Sequence, residues 1–129
     1  MNTENNKLLA EFFGGKYKNQ TNIPLNDNEI WLPKFGVCHL GNNGKVLKFH
    51  NDWNWLMEVV EKIESLEFYP KNSTCIGFDS FGVEINKKRC DITRYGDFTL
   101  NLLQGNGSTR IESVYNACVE FIKWYNENK

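Results

Sequence analysis

Residues 83–125 read VEINKKRCDITRYGDFTLNLLQGNGSTRIESVYNACVEFIKWY, and two different periodicities divide the stretch. The first part alternates. Val83 and Ile85, Cys90 and Ile92, and Phe98, Leu100 and Leu102 fall on one side, with Glu84, Asp91, Thr93, Thr99 and Asn101 on the other. A period of two is that of a half-buried strand. Turn residues at Asn86-Lys87-Lys88 and Tyr95-Gly96-Asp97 cut it into strands over 83–86, 90–94 and 98–103. A further strand over 74–78, turning at Asp79-Ser80, completes a predicted four-strand meander. From Thr109 the period changes: Ile111, Val114, Tyr115, Cys118, Phe121, Ile122 and Tyr125 recur at helical spacing. Thr109-Arg110-Ile111-Glu112 has the form of a capping box, Thr at the N-cap and Glu at N3. Trp124 falls about 220° around that helix from Ile111, off the apolar stripe, so its indole must meet another layer of the protein or stay exposed.

Upstream, a helix is expected over 3–13, with Thr3 as N-cap and Leu8, Leu9, Phe12 and Phe13 as its buried stripe. Gly14-Gly15 stops it. The polar stretch 16–28, with Pro24, reads as a loop that lies over its neighbours as a lid. Residues 29–40 read as one edge or bulged strand, interrupted by Pro33 and Gly36. Gly41-Asn42-Asn43-Gly44 then turns the chain, and 45–49 returns antiparallel. A second helix runs to about residue 66. Asn51, Asp52 and Asn54 compete for its N-cap, and Leu56, Val59, Val60 and Ile63 form its inner face. The expected architecture is α+β in the order α-ββ-α-ββββ-α. It is a layered sandwich of a mainly antiparallel sheet of five to six strands and three helices, in one domain over 1–129.

Composition narrows the function classes. With 129 residues, the chain is long enough for a core without metals or disulfides. A net charge of −1 and a pI near 6.1 lack the basic stripe of a dedicated nucleic-acid binder. No apolar run has the length of a membrane span, and the polar start Met1-Asn2-Thr3-Glu4 has no signal-peptide character. Cys38, Cys75, Cys90 and Cys118 show no C-x-x-C pairing and are expected to be buried, reduced thiols.

Three segments carry a family resemblance: NKLLAEFFG at 6–14, HNDWNWLMEVVEKI at 50–63 and VYNACVEFI at 114–122. Together they resemble the phage ABA sandwich family of small bacteriophage and prophage proteins. Glu58 stands where that family often has Pro, a substitution compatible with the first turn of a helix. The resemblance implies a sheet flanked by helices and a virus-encoded accessory protein in the host bacterial cytoplasm. It carries no catalytic motif with it.

Chemistry-bearing residues are few. Gly107, Ser108, Thr109 and Arg110 lie at the mouth of the last helix, where free amides and the positive dipole end suit a phosphate. The same residues equally make an ordinary capped turn. Trp53, Trp55 and His50 cluster at a strand-to-helix junction, as a stacking platform for a base or as a plug over the core. Arg94 would neutralise ligand charge. His39, His50 and Cys38 match no zinc spacing, so no metal and no cofactor are expected. Asp79-Ser80 with His50 lacks a nucleophile elbow, and Lys87-Lys88-Arg89 reads as a solvated hairpin tip. No nucleophile or acid–base pair stands out, so the expectation is a non-enzymatic binder. It would sequester a small phosphorylated ligand, such as a nucleotide-type immune signal. The alternative is a protein-interaction module that inhibits or adapts a host or phage protein, or self-associates, through Trp31, Phe35 and Trp124.

Overall fold

Helix α1, Asn2–Phe12, opens the computed structural model, which describes residues 2–40, 46–70, 77–96 and 99–129. Thr3 lies inside its first turn rather than capping it. The loop after it is tied down, not free as a lid. Lys16 and Trp31 exchange backbone hydrogen bonds of 2.8 and 2.9 Å, and Tyr17 donates its hydroxyl to Glu11. A single 3-10 turn, Lys18–Gln20, lies within it.

The first hairpin differs from expectation. β1 (Glu29–Leu32) pairs antiparallel with β2 (Gly36–His39) inside the segment read as one bulged strand. Pro33 lies in the turn between them and Gly36 opens β2, so neither interrupts a single strand. Phe35 N–H closes onto the Leu32 carbonyl at 3.3 Å, with Lys34 at φ 70° and Gly36 at φ 79°. Pro followed by a positive φ is the pattern of a type II turn. The expected turn at 41–44 lies outside the described residues. Among the described residues of the expected return, Val46 makes one isolated parallel bridge to His39 rather than an antiparallel pairing. Backbone acceptors beyond Val46 are already engaged. The Asn6 side chain donates to Leu47 O, and Lys48 O accepts from Asn51 and Asp52 in the turn leading into α2.

α2, Trp53–Ser65, is capped by Asp52, whose side chain accepts from Asn54 N–H at 2.9 Å. Its inner face is the expected one with Trp55 added. The meander holds β3 (Ser80–Ile85), β4 (Arg89–Tyr95) and β5 (Thr99–Asn106), antiparallel in the order β3-β4-β5. The strand expected over 74–78 falls largely outside the described residues. Residues 74–76 lie outside the described residues, Gly77 and Phe78 belong to no strand, and Ser80 pairs with Tyr95 instead of turning. Asp79 forms an isolated antiparallel bridge with Phe68. The described strands therefore form two antiparallel sheets of two and three strands, not one of five to six. The α+β class stands.

A bulge resets β5. Ile92 pairs with Leu103 but Thr93 with Asn101, so Leu102 is the extra residue. Leu103 and Gly105 consequently share the inner side with Ile92 and Cys90, while Leu100, beside Arg94, is 53% exposed. α3, Arg110–Asn128, packs on β4 and β5, and α2 packs on β3. Phe121 sits among Phe81 (centroids 4.8 Å), Trp124 (5.9 Å), Tyr125 (5.9 Å) and Phe12 (6.4 Å), joining helices to sheet. Trp124 thus meets a second layer of the protein itself.

Candidate functional site

The mouth of α3 is occupied by its own residues. Thr109 Oγ1 accepts from Glu112 N–H at 3.2 Å, one half of the expected capping box; the Glu112 carboxylate, which the box would return to Thr109 N–H, is engaged by Ser108 instead. The Glu112 carboxylate accepts from Ser108 Oγ at 3.1 Å, and Gly107 N–H donates to Lys88 O at 3.3 Å. A Cβ at Gly107 would lie 2.8 Å from Glu112 Cβ and from Ser113 N, so the glycine makes room for Glu112. A carboxylate already holds the first turn, where the helix dipole favours negative charge. A phosphate arriving there would meet like charge. Arg110 is exposed beside it.

Arg94 belongs to another part of the molecule. Its Nε donates to Asp79 Oδ2 at 2.7 Å, and its guanidinium lies 5.1 Å over Phe68 and 5.6 Å over Trp124. From Arg110 to Trp124 the helix rises about 21 Å. Arg94 and the α3 mouth are therefore at opposite ends of α3.

The junction before α2 separates its aromatics. Trp55 is buried and stacked on Phe35 at 4.0 Å and 6°, with Phe49 meeting it edge-on at 5.2 Å. That stack is the plug over the core, and it takes Phe35 as well. Trp53, the first residue of α2, is 38% exposed. His50 is half-buried and fixed by hydrogen bonds. Asn6 Nδ2 reaches Leu47 O at 3.4 Å and His50 Nδ1 at 2.9 Å, while Tyr115 Oη donates to Asn6 Oδ1 at 3.0 Å. Because a carbonyl only accepts, Leu47 fixes the Asn6 amide with its NH2 toward His50. His50 Nδ1 is then the acceptor and Nε2 carries the proton. Nothing in the sequence pattern marks Asn6 or Tyr115 for this role, since both occupy helical core stripes.

Trp31 is half-buried on the outer side of the first hairpin, opposite Val37. His39 lies 3.7 Å from Glu29. Among the described residues no three His, Cys, Asp or Glu side chains gather as a metal centre. Cys38, Cys90 and Cys118 are buried, and the Cys38 thiol lies 3.7 Å from Gly36 O. Burial and the neighbouring Asp91 push Cys90 up to about 12, and burial also raises Cys118. Thiols held protonated in this way are poor nucleophiles. Cys75 lies outside the described residues. Lys62 is shifted the other way, lowered by burial, and its ammonium donates to Phe12 O at the end of α1.

The residues that do converge were missed by the sequence reading. Tyr69 (62% exposed) and Phe78 (48%) pair at 5.9 Å between centroids, flanking the Phe68–Asp79 bridge. Tyr95 and Leu100 lie at the same end of the sheet, where β4 ends and β5 begins. Four of the six exposed large apolar side chains among the described residues thus lie at this end of the sheet, Leu100 across from Arg94 and Tyr95 on the opposite face, over Gly82; Val37 and Trp53 are the others. Alternation alone could not show this placement, because it depends on the register of β4 with β5 and on the Phe68 bridge. Comparison with protein-family models, with curated proteins and with solved structures finds no match to this chain. No helix among the described residues is long and apolar enough to cross a membrane.

Proposed function

We propose that this chain is a non-enzymatic protein-interaction module, contacting its partner through the end of the three-stranded sheet. The observation that carries the reading is that exposed Tyr69, Phe78, Tyr95 and Leu100 all lie at one end of the sheet, with Leu100 paired opposite Arg94. Aromatic residues and Arg are enriched in protein interfaces, and they supply most hot spots. In line with the family resemblance, the module would be a bacteriophage accessory protein that inhibits or adapts a host or phage protein in the bacterial cytoplasm. Sequestration of a phosphorylated ligand has less support. Its phosphate residues, its Arg94 and its stacking Trp55 lie in separate places, and Glu112 occupies the anion position.

The test is affinity purification from bacterial lysate with the wild-type chain and with a Phe78→Ser/Leu100→Glu variant of unchanged circular dichroism. The wild type should recover a stoichiometric polypeptide that the variant loses. Recovery of the same polypeptide by both would refute this contact surface. A native mass spectrum showing a retained nucleotide would restore the sequestration reading.

A further inference from the structure

The outer side of the three-stranded sheet holds a carboxylate oxygen without a partner. Asp91 sits in the central strand β4, directly between Glu84 of β3 and Gln104 of β5, with its side chain 8% exposed. Its Oδ2 accepts from Arg89 Nε at 3.1 Å. Its Oδ1 is buried and has no hydrogen-bond partner. An ionised oxygen out of water and unpaired is among the costliest groups a fold can contain. Glu84 aggravates this, because like charges directly opposite on adjacent strands repel. Arg89 answers only one of the two carboxylates.

We propose that the Glu84–Asp91–Gln104 rung binds a divalent cation, calcium. Apart from the Arg89 guanidinium on Asp91 Oδ2, the side-chain ligands the rung can offer are oxygens. Asp91 offers Oδ1 and Glu84 its carboxylate, while Gln104 donates its Nε2 to Asn106 Oδ1 at 3.2 Å and so keeps its carbonyl oxygen for the rung. An all-oxygen set selects hard cations over zinc or copper. Size selects among them. Neighbouring strands are about 4.8 Å apart, close to twice a calcium–oxygen distance of about 2.4 Å, so an ion of calcium's size suits two carboxylates extending side by side from paired positions of β3 and β4. Magnesium demands a tighter octahedron. Two carboxylates and one amide leave the remaining positions to water, which makes this an open, exchangeable surface site rather than an enclosed one. Exposed Glu84 and Gln104 can move to admit the ion.

The experiment titrates chelator-treated protein with calcium chloride to about 10 mM, beyond the range of weak extracellular calcium modules. Melting temperature and binding heat are followed, with magnesium chloride and sodium chloride at matched ionic strength as controls. The expected result is a saturable rise in melting temperature and one equivalent of binding, larger for calcium than for magnesium. Asp91→Asn should abolish the response, and Glu84→Gln should weaken affinity at least about tenfold, the scale of losing one charged ligand. Glu84 is exposed, so its variant keeps the test decisive even where Asp91→Asn disturbs folding. No saturable response, an equal response to sodium chloride, or full retention of the response by Glu84→Gln would overturn the assignment.

Discussion

Gly105 shows how a single residue type carries two meanings. In the run Gln104-Gly105-Asn106-Gly107-Ser108 a glycine reads as room for a phosphate, yet Gly105 is buried where α3 crosses β5. A Cβ there would lie 2.4 Å from both Ala117 N and Ser113 O, atoms of the helix backbone that cannot swing aside. Gly105→Ala should therefore push α3 off the sheet and cost about 1–3 kcal/mol, the range for overpacking. Urea denaturation checks this, and an unchanged midpoint would show that the helix slides to accommodate the methyl. The distinction between a ligand glycine and a packing glycine was not legible in sequence, because the atoms that decide it lie beyond the turn, on the next element. The same holds for Asn6. It occupies a helical stripe among leucines, and only the fold brings Tyr115, His50 and Leu47 around its amide.

Elements were legible where their signals are local. The cap of α3 is the best case: Thr109 accepts from Glu112 N–H as its spacing requires, and the stripe from Val114 to Ile122 is buried. Thr109→Ala should cost about 1 kcal/mol, the usual worth of an N-cap hydroxyl, whereas Thr109→Ser should cost little. Thermal unfolding of the two variants separates a capping role from mere packing. Strands were less legible, for identifiable reasons. Pro33 and Gly36 disrupt a strand and make a turn equally well, and only the pairing of Leu32 with Gly36 decides. At Leu102 the bulge exchanges the inward side from one leucine to the next, and no alternation rule detects an extra residue in a run of Leu-Leu.

At the scale of the whole molecule, layers meet at aromatic rings and at a few polar groups that the fold keeps neutral or paired. Arg94 joins β4, α3 and the segment before β3 through Trp124, Phe68 and Asp79. Arg94→Ala should cost about 1–3 kcal/mol, by removing a cation from two ring faces and leaving Asp79 without its guanidinium. A double-mutant cycle with Asp79→Ala should show coupling; additive losses would mean that the ion pair is incidental.

Tyr115, between α1 and α3, and Tyr17, beside Glu11, predict how the whole fold responds to base. Burial pushes both phenols up to about 12 from an ordinary 10, and the Glu11 hydrogen bond adds to the effect at Tyr17. The folded state therefore keeps protons that the unfolded chain releases once the pH passes 10. Stability contributed by these groups is complete below pH 10 and declines as the pH rises toward 12, since stability falls with pH wherever the native state binds more protons. Denaturation followed from pH 9 to 12 should show this decline. Tyr115→Phe should flatten part of it while lowering stability at neutral pH, because Asn6 Oδ1 loses its donor. Phenolate absorbance supplies the independent readout. In the native protein one ionisation near pH 12 should disappear with Tyr115→Phe, and a Tyr115 that titrated near pH 10 in the native protein would mean that the α1–α3 junction admits water.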